Sequence, residues 1–353
     1  MLPDNPSDNA SLVKRPFDEL RARAAQFIEK AKTAQRHGDA DGALAHYDDA
    51  LSLMEDEGDC PMAADALRWK GLVLRERGDT AAAYRFFNRS LAMAERLDYV
   101  NGQAHALNCL GTIAQRRGEL KNAERLYRQS AHHAEASADR RLLGMVELNQ
   151  GVIACSLGDW DASVVWFRLG LKAFESVGDK EGASWAYNNL GMQYAARKRY
   201  GQAIEAFELA LAIAYAREDM VVEATVELNL ADVLIGKGEL DTASMSVARA
   251  LKIAEIRRDR LRIAEGLRLK SRIERLRGQL ATAVETLRQA RYQAREGEDA
   301  LLHLELLTEL GELCREQGDA ERTREVLREA LAGFTEIGAL RRAEAIAEEL
   351  AAL

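Results

Sequence analysis

Hydrophobic residues mark helical faces along almost the whole chain, and the faces recur about every 40 residues. In the stretch 184–223, Tyr187, Leu190, Gly191 and Tyr194 stand at i, i+3, i+4 and i+7, one side of a first helix. Ala203, Phe207, Ala210, Leu211 and Ala214 mark the same kind of side on a second. The turn between them is Arg197-Lys198-Arg199-Tyr200. In the other units this turn carries glycine, at Gly38, Gly78, Gly118, Gly158, Gly238, Gly278 and Gly318; Lys198 alone breaks the ladder. Glycine ends a helix in the left-handed conformation at little steric cost. Lys198 must take the same turn with a Cβ, at a cost of about 1 kcal/mol. An acid follows the glycine at Asp39, Asp79, Glu119, Asp159, Glu239 and Asp319, where the dipole of the next helix favours negative charge.

Small residues form a second ladder. Gly71, Gly111, Gly151, Gly191 and Gly311, with Ala31, Ala231 and Ser271, share one place in the first helices. A mid-helix glycine costs about 1 kcal/mol relative to alanine, so its recurrence predicts a close approach of paired helices. The aromatics Tyr47, Phe87, Tyr127, Phe167 and Phe207 then fill the space toward the next unit. A fixed period in this range is the mark of a solenoid, one supersecondary unit stacked on the last. No proline occurs after Pro61, and Ala, Leu, Glu and Arg abound. The expected fold is all-α, with about eight antiparallel helix pairs in one domain over residues 17–353. A disordered tail is expected at 1–16 and a solubilising capping helix around Arg341–Leu350.

Charge refines the picture. The net charge of −8 opposes a general phosphate-binding role. Residues 37–67 hold nine acids and no Lys or Arg, whereas 257–277 hold eight Arg plus Lys270. These runs read either as solvated helix faces or as a basic belt that attracts an acidic segment of a partner or of a second copy. Cys60, Cys109, Cys155 and Cys314 form no CxxC pair and no metal-like spacing, which suits reduced thiols in the cytoplasm. No apolar run approaches membrane-spanning length, and the N-terminus has no apolar segment of the secretory kind. The six histidines are scattered, and no phosphate-binding, zinc-protease or nucleophile-elbow motif is present. No cofactor, metal or catalytic residue is expected.

Leu-Gly in the first helix, a glycine turn, then alanine, an aromatic and alanine in the second carry a resemblance, with Leu110-Gly111, Leu190-Gly191 and Leu310-Gly311 as good matches. The pattern is similar to the tetratricopeptide repeat, in the longer-period variety of bacterial regulator sensor domains and Leu-Gly-Asn adaptors. Leu67, Leu107 and Leu267, but Glu147 and Glu227, stand where that family has tryptophan. The resemblance implies a right-handed superhelix whose first helices line a concave groove. It also implies that Asn149, Asn189 and Asn229 hydrogen-bond the backbone of a bound peptide; the alternative is that they bond a neighbouring helix. Projecting the same face adds Met145, Leu148, Trp185, Asn188, Met192 and Leu228, an apolar centre suited to an adaptable pocket. Arg268, Arg272 and Arg275 would catch acidic residues at one end.

The reading is a non-enzymatic scaffold or adaptor that holds a partner peptide or helix in the groove. A sensor module for a small molecule or signal peptide is the second reading. Nucleic-acid binding through the basic belt is a remote third. Homo-oligomerisation stays open. The stretch before residue 24 is expected to be too short for a further folded domain.

Overall fold

After the first, every helix in this chain starts where half a repeat says it should. The computed structural model describes residues 6–36, 39–55, 58–297 and 299–353. They form seventeen helices and no strand. The first eight are α1 (Pro6–Arg36), α2 (Ala40–Met54), α3 (Pro61–Glu76), α4 (Thr80–Arg96), α5 (Val100–Arg116), α6 (Leu120–Ala136), α7 (Arg140–Ser156) and α8 (Trp160–Ser176). Then follow α9 (Lys180–Ala196), α10 (Tyr200–Arg217), α11 (Met220–Lys237), α12 (Leu240–Arg257), α13 (Arg260–Leu276), α14 (Leu280–Glu296), α15 (Ala300–Glu316), α16 (Ala320–Glu336) and α17 (Leu340–Ala351). The architecture is an all-α solenoid of helix pairs, divided into two compact units, Met1–Gly182 and Ala183–Leu353. Within each unit, helices pack on their sequence neighbours, and first helices also touch first helices, α3 on α5, α5 on α7 and α11 on α13. Of the stretch 1–16 expected to be a disordered tail, residues 1–5 lie outside the described residues and 6–16 belong to α1. Gly38 also lies outside them. At the other end α17 packs on α16 and buries Ala343 and Ile346.

The turn is a two-bond device repeated along the chain. At Gly78 (φ 86°), the Gly78 N–H donates to the Arg75 carbonyl (3.0 Å) and the Asp79 N–H to the Leu74 carbonyl (2.9 Å). Lys198 (φ 57°) makes the same pair, to Ala195 (2.8 Å) and, through Arg199, to Tyr194 (2.9 Å). A second ladder, offset by half a repeat, closes the turns between repeats with Gly58, Asp98, Ala138, Gly178, Glu218, Arg258 and Gly338, all at positive φ. Asp98, Ala138, Glu218 and Arg258 carry a Cβ, so a search for glycine does not see them. Lys198→Gly is expected to raise stability by about 0.5–1 kcal/mol. An unchanged or lowered urea midpoint would show that the Cβ is not strained there.

The acid after the turn does more than complement a dipole. Asp39, Asp79, Asp159 and Asp319 each accept from a backbone N–H three residues on, at 2.8–3.0 Å. Asp139, Asp179, Asp219, Asp259 and Asp299 do the same at the turns between repeats. Glu119 and Glu239, one methylene longer, make no such cap.

The close approach at the first-helix glycines is made by a ring of the same repeat, not by backbone. A Cβ on Gly71, Gly111, Gly151 or Gly191 would stand 2.4–2.6 Å from Phe87, Tyr127, Phe167 or Phe207 respectively. In the last repeat, Gly311 faces Leu327 instead, at 2.7 Å. Where the position holds Ala231 or Ser271, the residue in the ring's place is the smaller Val247 or Leu287. Ring and glycine are thus a matched pair in four successive repeats; Ala31 with Tyr47 is the exception.

Candidate functional site

The first helices join one another through amides. In unit 1 the Asn149 side chain (α7) donates to the Asn108 side-chain oxygen (α5) at 2.9 Å. In unit 2 Asn229 (α11) donates to Asn188 (α9) at 2.8 Å. Asn188 is buried and also sends an N–H toward the Met192 sulfur at 3.9 Å. Asn189 is half-buried, and its side chain has no hydrogen-bond partner among the described residues. An amide offers two N–H groups and a carbonyl oxygen. Asn149 and Asn229 therefore keep one N–H and the carbonyl after bonding their neighbours.

Asn108 belongs to this network although the projected face omits it. The signal was available at a longer period: the Asn108–Asn149 pair recurs two repeats on as Asn188–Asn229.

The apolar part of the projected face divides. Met145 (39% exposed) and Met192 (46% exposed) stand open to solvent, and Trp185 is half-buried. Leu148 instead turns to α8, where a Cβ on Gly170 would meet it at 3.1 Å, and Leu228 is buried near Gly266 of α13. Leu228 belongs to the packed interior, and Leu148 is half-buried against α8. The reason is angular: Leu148 and Leu228 each precede an asparagine by one residue, a rotation of about 100° on a helix.

The three arginines of the projected face are already paired. Arg268 donates to Glu309 at 2.7 Å and reaches Glu305 at 3.5 Å. Arg275 holds Glu316 at 3.0 Å and reaches Glu312, and Arg272 pairs with Asp232. The partners sit on the flanking first helices, 37 to 41 residues away in sequence. Glu305 and Glu349 extend the ladder to Arg342 and Arg315 of α17 and α15. A partner carboxylate would have to displace one of these.

On the second-helix side, the two glutamates at the family's tryptophan position have opposite fates. Glu227 is fully buried. Arg249 of α12 clamps both its oxygens, and Tyr215 of α10 donates to it at 2.8 Å. Burial first, then that bond to Glu227, pushes the Tyr215 phenol up to about 12. Glu147 is half-buried, and its Oε2 is buried with no hydrogen-bond partner. Burial first, then the nearby Glu135 charge, pushes its carboxyl from 4.5 up to about 7.

His105 pairs with Asp139 at 3.2 Å, and burial holds the imidazole below its usual range. Cys109 is buried, which pushes its thiol up and away from nucleophilic use. Among the described residues no group of three or more His, Cys, Asp or Glu is placed to hold a metal ion. No described helix is long and apolar enough to cross a membrane.

Family profiles of the tetratricopeptide repeat match residues 23–96, 103–132 and 142–216. No curated protein matches the sequence. Solved structures match at low identity. The apo quorum sensor NprR from B. thuringiensis superposes at TM-score 0.59 with 12% identity, over 94% of this chain and 98% of that one. The Rap conjugation gene regulator of the plasmid pLS20, solved with its Phr* peptide, superposes at 0.62 with 13% identity, over 92% and 96%. A signal-transduction ATPase from Pyrococcus horikoshii with a tetratricopeptide repeat sensor superposes at 0.65 with 17% identity, over 96% of this chain and 49% of that one.

Proposed function

The chain belongs to the tetratricopeptide repeat family, and we propose that it is an interaction module that holds an extended peptide segment of a partner against its first helices. The observation that carries this reading is the half-used amide. Asn149 and Asn229 are each held in place by one bond to a neighbouring first helix, and each retains donor and acceptor capacity for a peptide group. Asn189, with no bond of its own, offers a whole amide. Met145 in unit 1 and Met192 in unit 2, each exposed on the first helix that carries an amide of its own unit, suit an apolar side chain of varied shape. In this reading recognition is mainly of backbone and apolar side chains, because Arg268, Arg272 and Arg275 are already neutralised. That pairing also speaks against the nucleic-acid reading.

A signal peptide in the sensor sense is the second source of such a segment. It is favoured by the likeness to structures described as a quorum sensor and as a Rap regulator in complex with the Phr* peptide.

The test is the triple variant Asn149→Ala, Asn189→Ala, Asn229→Ala, compared with wild type in crosslinking capture read by mass spectrometry. Within unit 2, the two hydrogen bonds of Asn189 and Asn229 at about 1 kcal/mol each amount to roughly 30-fold in affinity. The variant should keep its helical circular dichroism and lose the captured segment. A folded variant with full capture would sink the reading.

A further inference from the structure

A cavity of about 440 Å³ opens in unit 1 between α6, α7 and the start of α8, on the second-helix side and away from the amides. Glu147 and Glu135 line it, with Trp166 beside them. Glu147 Oε2 is buried there and has no partner. A buried carboxylate oxygen without a donor is uncommon, because desolvation is left uncompensated.

The chain itself shows what this position holds when it is complete. Two repeats on, Glu227 occupies the same place in its repeat. Its oxygens are clamped by Arg249, 22 residues later, and by the Tyr215 hydroxyl, 12 residues earlier. Arg249 is steadied in turn by the Ser246 hydroxyl at 3.0 Å. In the repeat of Glu147 the three corresponding positions are Leu169, Glu135 and Trp166. Leu169 is exposed and brings no donor. Glu135 adds a second carboxylate in place of the phenol. Trp166 puts a flat aromatic face where the guanidinium's hydroxyl support would be.

We propose that this cavity is a binding site for a guanidinium group, which takes the place that Arg249 fills in the later repeat. The planar fork matches the Glu147 carboxylate in the two-bond manner, Glu135 offers a second carboxylate acceptor for the fork's other N–H groups, and the cation stacks on Trp166. Arg128, which lines the cavity, does not do this: it is exposed and donates to Glu124 at 2.7 Å.

The site's charges also set its response to pH. From α6 it faces Glu124, Arg128, His132 and Glu135; Asp159 precedes α8, and Arg140 stands on α7 itself. With Glu147 pushed up to about 7 by burial and by Glu135, the ionised form that a guanidinium needs gains population between about pH 6 and pH 8. Binding should tighten over that interval.

The experiment is calorimetric titration of the full chain with arginine amide at about pH 8, with citrulline amide, which keeps the α-amino group but has an uncharged side chain, as control. Saturable binding of arginine amide alone is expected, several-fold weaker at about pH 6. Glu147→Gln should weaken it at least about tenfold with unchanged circular dichroism. Leu169→Arg restores the Arg249 arrangement within the chain, so it should abolish binding while raising the melting temperature. A Gly-Arg-Gly peptide binding more tightly than arginine amide would identify the source as a peptide side chain, and the reverse would identify a free small molecule. The Asn149, Asn189, Asn229 variant should bind arginine amide as wild type does, which separates this site from the proposed peptide face. No binding by wild type, or undiminished binding by Glu147→Gln, overturns the proposal.

Discussion

Arg249→Met is expected to destabilise unit 2 by about 3–5 kcal/mol. Glu227 has no exposure to water, and Arg249 donates to both its oxygens, at 2.9 Å for one of them. Removing the guanidinium leaves a buried carboxylate with the Tyr215 hydroxyl as its remaining partner. The cost is that of stranding a charge, not the net worth of the ion pair, because bringing both charges out of water had its own penalty. The distinction can be measured. Glu227→Met combined with Arg249→Met removes both charges and should recover most of the lost stability. Thermal unfolding of the two variants and wild type decides it. A single variant as stable as wild type would mean that water reaches Glu227.

The same comparison explains why the glutamates at 147 and 227 cannot be told apart in sequence. Both depart from the family's tryptophan in the same way. Their difference lies in the residues that stand where Tyr215 and Arg249 do, on two other helices. Only the packed arrangement says that those positions converge.

The period and the phase of every repeat were legible from the glycine ladder, because a left-handed turn with little side-chain cost is a strong local demand. The offset ladder at Asp98, Ala138, Glu218 and Arg258 was not. The two hydrogen bonds of the helix-ending turn outweigh about 1 kcal/mol of strain, so the conformation persists without its usual residue.

The charge pattern misleads for a reason that belongs to solenoids. In a window of residues 257–277 the arginines look uncompensated. In a helix-pair repeat the spatial neighbour of a first-helix residue lies one repeat away, and there Asp232, Glu309 and Glu316 supply the balance. The asparagines were half-legible by the same logic. Asn149, Asn189 and Asn229 share a phase, but the acceptors Asn108 and Asn188 sit one residue out of it. Projecting the face reaches Asn188, but finding Asn108 requires knowing which side of one first helix faces the next.

Phe87→Ala is expected to cost about 3–5 kcal/mol, the second largest effect foreseen for a single substitution. Its ring is fully buried and lies on Gly71, where a Cβ would stand 2.6 Å from the ring edge. Gly71→Ala alone should also destabilise, by about 1–3 kcal/mol, since the ring must move within a packed repeat. This exceeds the roughly 1 kcal/mol that alanine gains over glycine in a helix interior. The two changes should be strongly non-additive. With Phe87→Leu in place, the pairing resembles that of Ser271 with Leu287, and Gly71→Ala should become neutral or stabilising because the propensity gain is no longer opposed. A double-mutant cycle in urea measures this directly, with a coupling of about 1–3 kcal/mol favouring the pair. Additive effects would mean that ring and glycine do not constrain each other. The aromatic in the second helix would then owe its recurrence to packing between repeats, as the sequence pattern suggests, and not to the bare backbone it covers within its own.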